Sequence, residues 1–341
     1  MKRLVLGIVL LFAAGNLFGQ NLSDNFISDF RSADGELKLQ VLEMSREQPV
    51  AELEDLYLHV LDYVISNAED GITDDYLRSL YNLAAERLVE AQSTKAGMRV
   101  WQLFELDRET AQRISLLKAM ETLATGNERV LIRLADWIVS ENQASLSGTT
   151  VDRQVLSQAV STAVTFNSVE FFDGFILTLY AGHPDYIENF AKQGIAAYGD
   201  QRMELFVQAA EGFDPDAQIF LMRFIQQQED LTAEQKAAVA AAALEKLMST
   251  TVVTIEDQEL HRAARRLAAG IISEVRYPDA SGPMALHFNQ VANDYEKRMI
   301  PLGQMIEAID ALGSIGNEAA ASRLIRYLEY LNIQSGNERP V

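Results

Sequence analysis

The residues that could do chemistry in this chain are few and scattered. Four histidines, His59, His183, His261 and His287, lie far apart, and none stands in an HxxxH or HExxH arrangement. Zinc sites built from one helix need two imidazoles a turn apart, so no local zinc signal is present. Cysteine is absent, which removes thiolate metal sites, disulfides and lipid-modified cysteine together. His183 precedes Pro184 at a turn and reads as a capping or exposed residue. His261 is followed by Arg262, Arg265 and Arg266, a basic cluster in an acidic stretch. Such a cluster can grip an anionic group through charge-assisted hydrogen bonds. The same spacing also suits a solvated helix face paired with Glu256, Asp257 and Glu259, and that is the expectation taken here. Glu69, Asp70, Asp74 and Asp75 form an acidic turn, but their spacing lacks the alternation of a calcium loop. They read instead as carboxylates opposing a helix dipole. Pairs such as Glu52 with Asp55 sit at ordinary helix-surface spacing. No phosphate-cradling glycine loop and no nucleophile elbow occurs. The expectation is therefore no catalytic, cofactor or metal residue within any one segment, with an enzyme site assembled from distant segments as the alternative.

Charge and the N-terminus narrow the setting. The 341 residues carry a formal charge of −20. Lys2 and Arg3 precede the apolar run Leu4 to Ala14, and small residues follow at Ala13, Ala14, Gly15 and Gly19. A positive start, a short apolar core and a small-residue cleavage zone read as a secretory signal peptide over residues 1–20. The run is shorter than the roughly 20 residues that span a bilayer. Removing it takes two cations and no acid from −20, leaving −22. That balance disfavours nucleic acid and anionic membrane surfaces, which need a positive face. It keeps a long surface soluble. The expected location is periplasmic or extracellular.

The elements that would position any site are helices. In Leu302 to Leu331, Met305, Ile306, Ile309 and Leu312 fall at i, i+3, i+4, i+7 spacing, and Ala321, Leu324, Ile325, Leu328 and Leu331 repeat the pattern. Gly316 and Asn317 between them can end one helix and cap the next. Two helices so joined run antiparallel, and neither hides its apolar stripe alone, so the pair needs neighbours of its kind. Further helix pairs follow along the chain: 36–46 with 50–66, a helix capped by Thr73, a shorter one around Trp101, then 152–166 with 169–181, and 185–198 with 201–212. Asp214-Pro215 opens another helix, Thr232 with Gln235 forms a capping box, and Thr254 opens 256–275. The β-branched run Thr250 to Ile255 would suit a strand but has no partner nearby, so it reads as an extended loop. Arg276 to Pro283 reads as a surface loop.

Residues 116–128 (LLKAMETLATGNE) align with 305–318 (MIEAIDALGSIGNE) through Ala119 and Ala308, Leu123 and Leu312, and the shared Gly-Asn-Glu. Similarity at a distance is the mark of a repeat array. The units 108–142 and 302–331 resemble HEAT repeats of the bacterial kind. That resemblance implies an all-α solenoid over residues 21–341 that binds macromolecules along its surface, with an enzyme acting on tetrapyrroles known among some members. A tetratricopeptide array is the rival for local geometry, from Phe206 to Pro215, but no 34-residue period supports it.

Tyr327 and Tyr330 lie beside the apolar stripe of the last helix and widen it. A terminal repeat is expected to present a polar outer side, so this end reads as a docking surface for a subunit or partner. Tyr327, Tyr330, Arg262, Arg265 and Arg266 are thus the candidate partner-docking residues. The expected function is a secreted scaffold for a protein partner, with a structural subunit of an envelope complex as the alternative.

Overall fold

The fold was taken from a computed structural model, which describes residues 22–68, 71–252 and 254–337. The proposed signal peptide lies outside the described residues, as do Glu69 and Asp70. The described residues form 17 α-helices and no strand. A single isolated bridge joins Ile72 to Asp107. None of these helices is long and apolar enough to cross a membrane. The chain divides into two compact units, Met1–Ala197 and Tyr198–Val341.

The first unit holds α1 (Leu22–Ser32), α2 (Glu36–Ser45), α3 (Glu54–Asn67), α4 (Asp75–Glu90), α5 (Gly97–Leu106), α6 (Thr110–Leu123), α7 (Glu128–Leu146), α8 (Arg153–Phe166), α9 (Phe172–Tyr180) and α10 (Asp185–Ala197). Its packing follows one rule. Each odd helix pairs with the even helix after it, odd helices pack successively on odd, and even on even. The apolar residues make this possible, because each helix carries two buried flanks. On α3, Leu56, Tyr57, Val60, Leu61 and Val64 are all buried, and on α4 so are Leu80, Tyr81, Ala84 and Leu88. Each leucine or valine among them gains roughly 1.5–3 kcal/mol by leaving water.

The second unit holds α11 (Arg202–Gly212), α12 (Pro215–Gln226), α13 (Ala233–Ser249), α14 (Ile255–Val275), α15 (Ser281–Glu296), α16 (Leu302–Ile315) and α17 (Glu318–Asn337). Here α13 packs on α14 and α15 on α16, while α11, α13, α15 and α17 succeed one another, as do α12, α14 and α16. Small residues accompany the α13–α14 pairing: α13 buries Ala237, Ala240 and Ala243, and α14 buries Ala264, Ala268 and Ala269. Alanine leaves the two backbones free to approach, which longer side chains would prevent.

This packing names neighbours that periodicity leaves open. The segment 108–142 spans α6 and α7, which are not a packed hairpin: α6 packs on α5 and α8, and α7 on α8 and α9. Both similar segments begin on the second helix of one pair and end on the first helix of the next. Local periodicity marks helices and turns but does not say which neighbour a helix prefers. The final stripes shift as well. On α16 the buried residues are Met305, Ala308, Ala311, Leu312 and Ile315, while Ile306 is 48% exposed. On α17 Ala320 is buried, but Ile325 and Leu328 are 56% and 62% exposed.

Local signals fared better. Thr232 and Gln235 make the reciprocal capping box, with Gln235 N donating to Thr232 Oγ1 at 3.2 Å and Thr232 N to Gln235 Oε1 at 2.8 Å. Asp214 caps α12 by accepting from Ala217 N at 2.9 Å. Asn127 accepts from Val130 N and Asn317 from Ala320 N, at 3.4 and 2.9 Å, after Gly126 and Gly316 take φ of 72° and 69°. The cap of α4 is Asp74 rather than Thr73, accepting from Tyr76 N at 2.8 Å. A carboxylate there also faces the positive helix end. Arg276 to Pro283 is not wholly a loop: 278–280 is a 3₁₀ turn and Pro283 lies in the first turn of α15. Its missing N–H has no partner to lose there. The described residues of Thr250 to Ile255 form no strand.

Candidate functional site

The arginines and His261 meet in the second unit, where α13, α14 and α15 converge. The buried stripe of α14 is His261, Ala264, Ala268 and Ile272, at three- and four-residue steps. His261 therefore points inward, and Arg265, one turn later, rides beside the same stripe. The C-terminal end of α13 supplies Leu247 and Met248, the following loop Thr250 and Val252, and α15 with its end Gln290, Asn293, Asp294 and Lys297. Together these line an open, polar pocket of about 410 Å³.

Arg266 stays on an exposed face, but the partners of these arginines are not the acids of their own helix start. Glu256 and Glu259 are exposed, and Asp257 is occupied at the helix start, taking a hydrogen bond from Thr254 Oγ1 at 2.5 Å. The carboxylates that answer α14 come from other helices. Arg266 makes a two-pronged pair with Glu307 of α16, Nε and Nη2 at 2.6 and 2.7 Å. Arg262 Nε stands 3.7 Å from Asp294 Oδ2 of α15, and its Nε–H is buried without an acceptor. Asp294 is itself buried and takes a hydrogen bond from Gln290 Nε2 at 2.8 Å. Arg265 Nε is also buried without an acceptor. Burial pulls the Arg265 guanidinium down from its usual range, with Asp294 opposing and Arg262 adding to the shift.

Two histidines flank this arginine. His261 is 7% exposed and its Nδ1 has no partner. Burial, and then the charge of Arg265, lowers its pKa. His287 of α15 is 5% exposed, with Nδ1 again unpartnered, and burial followed by the Arg265 charge pushes it down to about 4. Both rings are thereby neutral near pH 7. On the other side of α14, Arg262, Arg266, His287 and Glu307 line a second groove of about 490 Å³ shared with α16. A general base in a nucleophilic site is held by a third group, and neither ring has one at Nδ1. What the arrangement can do is hold an oxyanion. Among the described residues no group of His, Asp and Glu comes together as a metal site.

The other candidates do not join this site. Tyr327 turns back onto α15, edge-to-face with Phe288 at 5.3 Å and 90°. Tyr330 lies 6.3 Å from Tyr327 at the rim of that contact. Ile325, Leu328, Tyr330 and Leu331 are the large exposed apolar side chains among the described residues of α17. The remaining histidines are structural. His183 is buried, not exposed, with Nε2 2.8 Å from Asn142 Oδ1. His59 accepts from Arg31 Nε at 3.2 Å.

Sequence reasoning missed Asp294, Gln290 and Lys297. Their signal is weak, because nothing in a run such as NQVANDYEK marks which of its polar residues turns inward. No family model, no curated protein and no solved structure matches the chain.

Proposed function

We propose that this chain is an exported all-α binding scaffold, an α-solenoid of HEAT-like helix pairs that takes a protein partner along its surface. The observation that carries this reading is the odd-on-odd, even-on-even packing within each unit. Helix pairs that lend each other apolar surface make a long face at little cost in core size. The repeated Gly-Asn turn, with the same left-handed glycine and the same asparagine cap, supports the HEAT-like assignment. Export rests on the residues 1–20 pattern. Partner choice would come from the polar cavity beside α14.

A second reading, a structural subunit of an envelope assembly, is favoured by one observation. On α17 the apolar residues Ile325 and Leu328 are more than half exposed, and large exposed apolar surface marks an interaction site.

The test is capture from the native cell envelope with the full chain as bait, and mass spectrometry of what co-purifies. A saturable protein partner, lost on Arg265→Glu but kept on Leu328→Ser, supports the scaffold. The reverse pattern supports the assembly subunit. A chain that stays in the cytoplasm with residues 1–20 attached overturns both.

A further inference from the structure

We infer that the cavity between α13, α14 and α15 is a binding site for an oxyanion, a carboxylate or phosphate group, gripped by Arg262, Arg265 and Lys297. This deepens the binding reading above by naming the chemistry of the group bound. Three observations converge on it.

The first is charge. Three cations line the cavity against one carboxylate, Asp294, in a chain whose formal charge is −20. Asp294 accepts from Gln290 and stands 3.7 Å from Arg262, so it offsets one of the three cations and leaves two in excess.

The second is unmet hydrogen bonding. The Nε–H groups of Arg262 and Arg265 are buried without acceptors. A buried donor without a partner forfeits its hydration, and a charged donor forfeits more. The guanidinium fork matches the paired oxygens of carboxylate and phosphate, and it makes its strongest hydrogen bonds to them.

The third is His261. Its side chain is more than nine-tenths buried, it lines this cavity, and its Nδ1 has no protein partner. A neutral imidazole offers either a donor or an acceptor as its tautomer requires. An entering oxyanion draws the donor tautomer, so the ring can join the arginines without carrying charge.

The experiment uses the full mature chain with two probes, inorganic phosphate and succinate, each titrated at constant ionic strength against sodium chloride. Thermal midpoint and histidine ring NMR signals are followed together. The expected result is a saturable rise in midpoint with at least one probe and a shift confined to His261 and its neighbours. Phosphate alone points to a phosphate-bearing ligand, succinate alone to a carboxylate. Arg265→Gln is expected to weaken the response at least about tenfold, as removal of a charged hydrogen bond does. Lys297→Gln sits at the exposed rim and serves if Arg265→Gln does not fold; it too should weaken the response. A midpoint no higher than in chloride overturns the inference, and so does an unchanged response in the variants. Partner capture reports separately: a silent titration leaves a captured partner standing, and a failed capture leaves the titration standing.

Discussion

Arg78 holds Asp107 with two prongs, Nε to Oδ2 at 3.0 Å and Nη2 to Oδ1 at 3.2 Å, across 29 residues of chain. Asp107 is fully buried and also accepts from Tyr81 Oη and Glu109 N, both at 2.9 Å. Its neighbourhood is tied further by Ile72 N donating to Leu106 O at 3.1 Å. The cluster joins α4 to the chain between α5 and α6. Burial and the Asp107 carboxylate drive the Tyr81 phenol well above its usual range. Breaking one side of a buried pair strands the other charge and costs about 3–5 kcal/mol. Arg78→Met is therefore expected to lower stability by that amount in urea unfolding. A loss under 1 kcal/mol would show the pair to be dispensable.

Gly194 on α10 touches the ring of Phe175 on α9. A Cβ added there would come within 2.4 Å of Phe175 Cε2. Phe175 is 1% exposed, so its ring has nowhere to swing. Gly194→Ala should cost about 1–3 kcal/mol from overpacking, despite the better helix propensity of alanine. Phe175→Leu should restore part of the loss in the double variant, a coupling that a thermodynamic cycle measures.

His287 makes stability depend on pH. Its ring falls from 6.5 to about 4 on folding. The unfolded chain thus binds a proton below pH 6.5 that the folded chain refuses until about pH 4. Stability is full above pH 6.5 and drains away as pH falls through that window. The loss is on the order of 3 kcal/mol at about 1.4 kcal/mol per unit. His287→Leu should flatten the curve between pH 7 and pH 4 relative to the parent chain. Parallel curves for the two proteins would remove the assignment.

Tyr327 and Leu328 are neighbours with opposite roles. Tyr327 meets Phe288 edge-to-face, a contact of roughly 0.5–1.5 kcal/mol beyond burial. Leu328 is 62% exposed. Tyr327→Ala should destabilise by at least that pair energy. Leu328→Ser should stay within about 0.5 kcal/mol in the isolated chain. Equal effects from both would place α17 differently from its position on α15.

Local grammar was legible before any coordinates. The capping box at Thr232, the Asp214-Pro215 start and both Gly-Asn turns stand where their residues require, because a cap is settled by atoms within a few residues of one another. Lys38 shows where that legibility stops. In the run ELKLQVL nothing marks it for burial, yet it is 7% exposed and donates to Phe30 O and Ala33 O at 2.5 and 2.7 Å, beside the end of α1. The candidate site behaved the same way. His261 and its arginines were visible as a cluster, but their partners Asp294 and Glu307 arrive from helices 32 and 41 residues further on.

By itself, then, the sequence determined that the described chain is helical, where its caps lie, and that it is acidic and free of cysteine. These follow from short-range backbone chemistry and from counting. Tertiary structure alone decided which helix pairs with which, which stripe of α16 and α17 is hidden, and that the half-buried Arg265 keeps its Nε–H without an acceptor. Those outcomes depend on surfaces brought together from distant parts of the chain, and helical periodicity says which residues share a face but not what that face will meet.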